Sequence, residues 1–130
     1  MVDLRDVDAI SILAVKDLEA ARPFSEKVLG LRAVVDPANG VAVYASGRSR
    51  ITVYESEFAG TNRANALVWA VPDVDEVVGK LRERGVTFEH YTDLPGITLE
   101  GDVHVAEGFK GAWFTDPDGN ILHINDQVSS

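Results

Sequence analysis

Hydrophobic and polar positions along this chain fall into two stretches built to the same plan. Residues 9–15 are dense in Ile, Leu and Val and predict a strand. Beyond Asp17, the apolar positions Leu18, Ala21, Phe24 and Val28 lie close to helical spacing. Pro23 lacks an N–H and crowds the turn before it. The helix is therefore expected to begin around residues 20–22, with Pro23 in its first turn and Gly30 capping its end. Residues 31–35 predict a strand and residues 36–40 a turn. Residues 41–45 and 51–55 predict a hairpin across Ser46-Gly47-Arg48-Ser49.

The plan then recurs. Ala14-Val15-Lys16-Asp17-Leu18 has its counterpart in Ala70-Val71-Pro72-Asp73-Val74. Residues 66–71 predict a strand. Val74, Val77, Val78 and Leu81 mark a clear amphipathic helix over 73–84, opened by Asp73 with Glu76 three residues later and closed by Gly85. Strands follow at 86–89, 111–115 and 121–125. Between the first two of these lies a glycine-rich stretch, 91–110, read as irregular with a short strand at 103–105; it is either a lid over a cleft or an ordinary surface loop. Asp116-Pro117-Asp118-Gly119-Asn120 reads as a turn that fixes the last hairpin, since Pro117 presets φ and Gly119 supplies a left-handed one. Its aspartates are turn residues, not an acid–base pair.

The expected architecture is α+β: two βαβββ modules in one domain, about 8–56 and 66–126, joined by a polar link at 57–65. A helix covers one face of each small sheet. The other face must meet the second module, a partner chain or a ligand. Curved mixed sheets paired in this way would leave a cleft.

Composition narrows the partners. The chain has 130 residues, 45% of them hydrophobic and 25% charged, as in an ordinary globular protein. A net charge of −9 repels phosphate backbones and acidic lipid surfaces, so nucleic acid and membrane are poor partners. The absence of cysteine excludes disulfides, thiolate metal sites and a cysteine nucleophile. With no basic leader and no run of membrane-spanning length, a cytoplasmic location is the default expectation.

Several segments carry a family likeness. They are Val15-Lys16-Asp17-Leu18-Glu19, Phe24 with Val28-Leu29-Gly30-Leu31, Val71-Pro72-Asp73-Val74, and Trp113-Phe114-Thr115-Asp116-Pro117-Asp118-Gly119-Asn120. In order and spacing the chain resembles the vicinal oxygen chelate superfamily, which includes glyoxalase I, bleomycin-resistance proteins and extradiol dioxygenases. Phe24 is followed by Ser25 where the family usually has tyrosine.

The resemblance implies metal-ligand positions on the first and last strand of each module. Carried over by motif, they fall at Ile10, at Ala66, near Val53 with Glu55 on the same strand face, and at His123. Ile10 and Ala66 cannot bind a metal, so no cofactor is expected; were a metal present, His123 and Glu55 would hold it. His123 is read as a hydrogen-bonded polar residue of the pocket, as a ligand contact or general base, or as a metal ligand. His104 lies in the irregular stretch, from which it could swing in. Trp113 is either core or part of an aromatic pocket. The expected ligand pocket thus comprises His123, Glu55, Val53, Ile10, Ala66, Trp113 and His104. The expected partners are a small, partly apolar organic ligand and, as is common in the family, a second copy of the chain. The alternative is an enzyme of the same superfamily: a lyase, isomerase or dioxygenase, metal-dependent or using His123 as base.

Overall fold

A computed structural model describes residues 3–127 of the chain, with residues 36–38 described by their backbone course only. After a single 3-10 turn at Leu4–Asp6, the elements run β1 (Ser11–Val15), α1 (Leu18–Pro23), β2 (Arg32–Ala38), β3 (Val41–Ser46), β4 (Ser49–Glu55), β5 (Asn65–Ala70), α2 (Val74–Glu83), β6 (Phe88–Glu89), β7 (Thr98–Glu100), β8 (Val103–Ala106), β9 (Phe109–Thr115) and β10 (Ile121–Asn125). They build two mixed sheets. The first has the order β1-β4-β3-β2. The second runs β5-β10-β9-β8-β7, with β6 pairing the far end of β9. In each sheet the first and last strands of the repeat run parallel, β1 beside β4 and β5 beside β10, because a helix carries the chain back between them. This is the α+β architecture of two mixed sheets that the repeat implied.

Strand alternation decides which side is core. Leu13, Val15, Ala42, Tyr44, Ile51 and Val53 all point to the α1 side of the first sheet and are buried. Ala112, Phe114, Leu122 and Ile124 do the same under Val74, Val78 and Leu81 of α2. The helix sides of the two sheets share one hydrophobic cluster. Trp69 seals it across the seam, donating its indole N–H to Ser46 Oγ at 2.9 Å.

The seam itself is held by the 116–120 turn. Asp116 Oδ1 accepts the N–H groups of Asp118 and Asn120, and its Oδ2 accepts from the Asn120 carboxamide. The same carboxamide donates to the Ala14 carbonyl at 2.7 Å, 106 residues away. The Lys16 N–H reaches Asp118 Oδ1. Gly60 lies so close to the Asp118 backbone that a Cβ there would sit 1.8 Å from its carbonyl oxygen.

Two expectations need correction. First, α1 begins at Leu18, not at 20–22, and Pro23 ends it instead of opening it. Asp17 Oδ1 accepts from the Glu19 and Ala20 N–H groups, and Glu55 Oε2 accepts from Leu18 N–H. Two carboxylates thus satisfy the first turn early. After Pro23, which cannot donate to the preceding turn, the chain widens into a π turn at Phe24–Val28. Second, the 91–110 stretch is not irregular throughout. Its latter part is the β7–β8 hairpin, which extends the second sheet along β9. The hairpin part is bonded into the sheet, and only residues 91–97 and the two-residue turns at 101–102 and 107–108 lie outside regular strands. Glycines at 101 and 108, both with positive φ, make the turns that the composition had suggested were loop.

Gly60 gives a direct test of the seam. Gly60→Ala is expected to lower stability by about 2–4 kcal/mol, since it adds a backbone clash to a left-handed φ. Gly47→Ala, equally left-handed but facing open space, should cost about 1 kcal/mol. Chemical denaturation of the two variants measures the difference; equal losses would show that the seam yields freely.

Candidate functional site

On the side of the second sheet away from α2, alternation along β9 brings Phe109, Gly111 and Trp113 to one face. Their cross-strand partners add His104 from β8, opposite Gly111, and His123 from β10, opposite Trp113. The rings interlock. Trp113 stacks on His123 with centroids 4.1 Å apart and planes 21° from parallel, and meets His104 edge-on at 4.8 Å. Tyr91 closes the group edge-on to Trp113 at 5.3 Å. Gly111 makes the packing possible: a Cβ there would lie 2.6 Å from Phe109 Cζ and 2.9 Å from His123 Cε1.

The two histidines are held differently. His123 donates Nδ1–H to the Ala112 carbonyl at 2.9 Å, which fixes its tautomer and leaves the Nε2 lone pair as an acceptor. Among the described residues, Nε2 has no hydrogen-bond partner. His104 is fully buried; its Nε2 accepts from Tyr91 N–H at 2.9 Å, and its Nδ1 is sealed in without a hydrogen-bond partner. Burial pushes both imidazoles below their ordinary pKa. Nearby carbonyls, of Gly111 for His104 and of Ala112 for His123, oppose the shift. Both rings are therefore neutral at physiological pH.

The residues expected to line one pocket divide into separate places. His123, Trp113 and His104 come together. Val53 does not join them, because it points to the α1 side and packs in the core. Glu55 shares that side and caps α1 through Leu18. Ile10 stands 64% exposed just before β1, beside Arg48 and Arg50. Ala66 lies half-buried at the seam near Ile12 and Asn120. Tyr91 and Phe109 belong to the ring cluster and were not singled out in the sequence. The period-two run Phe109, Gly111, Trp113 was the signal for Phe109.

A metal does not fit this donor set. Ile10 and Ala66 carry no ligand atom, Val53 is aliphatic, and Glu55 is engaged at α1. Among the described residues, no three His, Cys, Asp or Glu side chains form a group able to hold an ion.

The cluster sits on a face that stays open across both sheets. Ile12 is 59% exposed and Val68, opposite His123, is 52% exposed. Val35 and Val41 are also exposed on this side. By contrast, a hollow of about 140 Å³ on the helix side, lined by Leu29, Trp69, Val71, Val77, Leu81, Phe114 and Ile124, contains no ionisable group. It offers packing space and no chemistry.

Comparison with known proteins agrees with the geometry. The family model described as Glyoxalase/Bleomycin resistance protein/Dioxygenase superfamily matches residues 7–124. Among solved structures, a lactoylglutathione lyase from Agrobacterium tumefaciens is 19% identical, with a TM-score of 0.67 over 92% of each chain. TnmS3, an antibiotic binding protein from Streptomyces sp. CB03234, is 21% identical, with a TM-score of 0.60 over 92% of this chain and 96% of its own. FosX, a fosfomycin resistance protein from Listeria monocytogenes, is 14% identical, with a TM-score of 0.68 over 96% and 93%. At these identities the likeness is one of fold. No curated protein matches the chain. Among the described residues, no helix is long and apolar enough to cross a membrane.

The neutral histidines predict how stability depends on pH. Their folded pKa values lie below the unfolded value of about 6.5, so the unfolded chain takes up protons first as pH falls. The contribution of these groups is complete above that value and is lost as pH drops through the folded pKa values. Thermal midpoints should fall between pH 7.5 and 5. Asp116, whose carboxyl burial pushes up, titrates with the opposite sign. A His104→Gln/His123→Gln variant isolates the histidines and should show a flatter profile than the parent; an unchanged profile would show that they titrate normally.

Proposed function

We propose a function from one premise, that the chain belongs to the glyoxalase/bleomycin resistance protein/dioxygenase superfamily. The protein binds a small, partly apolar organic molecule in the cleft beside its open sheet face, without a catalytic metal. The observation that carries this reading is the stack of Trp113 on His123, an aromatic floor with a bare imidazole nitrogen at its edge. A flat ring laid against Trp113 gains dispersion and stacking, and the His123 Nε2 accepts one hydrogen bond from it. The antibiotic-binding neighbour supports a sequestering role of this kind. The exposed Ile12, Val35, Val41 and Val68 support pairing with a second copy, whose own open face would close the cleft.

The unpartnered Nε2 of His123 also favours a second reading. A neutral imidazole with a fixed tautomer is poised to take a proton from a bound substrate, so a metal-independent lyase or isomerase reaction is the enzymatic alternative. A dioxygenase would need metal ligands that Ile10 and Ala66 do not supply.

Binding of the uncharged fluorescent probe phenylnaphthylamine tests the first reading. The parent should bind it with quenching of tryptophan emission. Trp113→Ala should weaken binding about tenfold, the worth of a buried aromatic contact, while His123→Gln should weaken it less. Elemental analysis of protein purified without chelator should show no stoichiometric metal. Failure of the parent to bind, or stoichiometric Zn, Ni, Mn or Fe, would sink this reading. Turnover of a screened substrate, lost in a folded His123→Gln protein, would establish the second.

A further inference from the structure

The open face of the first sheet carries a concentration of positive charge in a chain whose net charge is −9. Arg32 on β2 and Arg50 on β4 both lie directly opposite Ala45 of β3, so all three residues share one cross-strand row and one side. It is the side away from the core, because Tyr44 and Ile51, the neighbours in register, point to α1. Arg48 stands between, in the β3–β4 turn that Gly47 forms with φ +57°. Two adjoining hollows, of about 570 and 680 Å³, share Arg48, Ser49 and Arg50 as a common wall; Arg32 lines the first and Ile10 the second.

Among the described residues, these arginines enter no ion pair. The ion pairs among the described residues engage Arg5, Arg22, Arg82, Lys110 and His90. Arg32, Arg48 and Arg50 take part in none of them. Among the described residues, Asp8 is the one carboxylate lining either hollow. Like charges on one face repel one another, and an anion placed among them relieves that repulsion. Guanidinium groups also present paired donors that match a carboxylate, sulfonate or phosphate. Next to them, Ile10 and Ile12 supply an exposed apolar surface on the same side. Charge at one end and hydrocarbon at the other describe an amphipathic anion.

We infer that Arg32, Arg48 and Arg50 form an anion subsite on the open face, beside Ile10, that takes the carboxylate, sulfonate or phosphate group of an amphipathic organic molecule. The inference rests on the binding function proposed above and narrows its ligand class. The two are separable with a matched pair of probes: anilinonaphthalenesulfonate, which is anionic, and phenylnaphthylamine, which has the same ring system without the sulfonate. The parent should bind the sulfonate more tightly than the neutral probe, and added salt should erase that advantage. Arg32→Gln/Arg50→Gln should weaken sulfonate binding about tenfold and leave the neutral probe unchanged. Arg32→Lys/Arg50→Lys should restore part of the loss. All of these residues are exposed, so the variants should fold. Equal binding of both probes by the parent, or equal loss of both in the Gln variant, overturns the anion subsite and leaves the binding reading standing. Binding of neither probe by the parent overturns both.

Discussion

The Asn120 carboxamide holds the protein together at its most consequential point. One N–H₂ group donates both to the Asp116 carboxylate of its own turn and to the Ala14 carbonyl of the first sheet. Buried amides of this kind must be paired, and here the pairing joins the last hairpin of the second module to the first strand of the first. Gly60 must lie against the same turn with no side chain between. The linking segment, the turn and β1 are therefore set in one register. Trp69 and Ser46 repeat the link from the helix side.

With the seam fixed, both helices fall on the same side of the paired sheets and their apolar faces merge into one core. The opposite faces are left without a helix. In the second sheet that open face is rich in rings, and the ring packing depends on Gly111 having no Cβ. In the first sheet it carries exposed Ile12, Val35 and Val41 together with Arg32, Arg48 and Arg50.

Among the described residues, the same geometry gathers no set of side chains able to hold a metal ion. A divalent ion needs several oxygen or nitrogen donors converging on one point. His123 offers one nitrogen; Trp113, Phe109 and Val68 beside it have none to give, and His104 Nε2 already accepts from Tyr91 N–H. What remains is a neutral imidazole in an aromatic wall, suited to accept a hydrogen bond or a proton.

Much of the fold was legible in the sequence because the repeat of Asp17 and Asp73 is local. Each aspartate caps a helix within three residues of itself, and apolar spacing reports helix or strand without reference to distant parts of the chain. The β7–β8 hairpin was not legible, since its strands are short and glycine-bounded and their pairing with β9 is supplied from elsewhere in the chain. His123 and Trp113 could be singled out by motif, and Ile10 and Ala66 could be seen to lack metal donors. Which side of its sheet each residue faced was beyond the sequence. Val53 and Glu55 alternate correctly with each other but turn toward α1, and β2, β3 and β4 alone bring Arg32 and Arg50 into one row. Side-chain order along a strand is a property of the backbone. Which side is inside is decided only when the helices and the second sheet have packed against it.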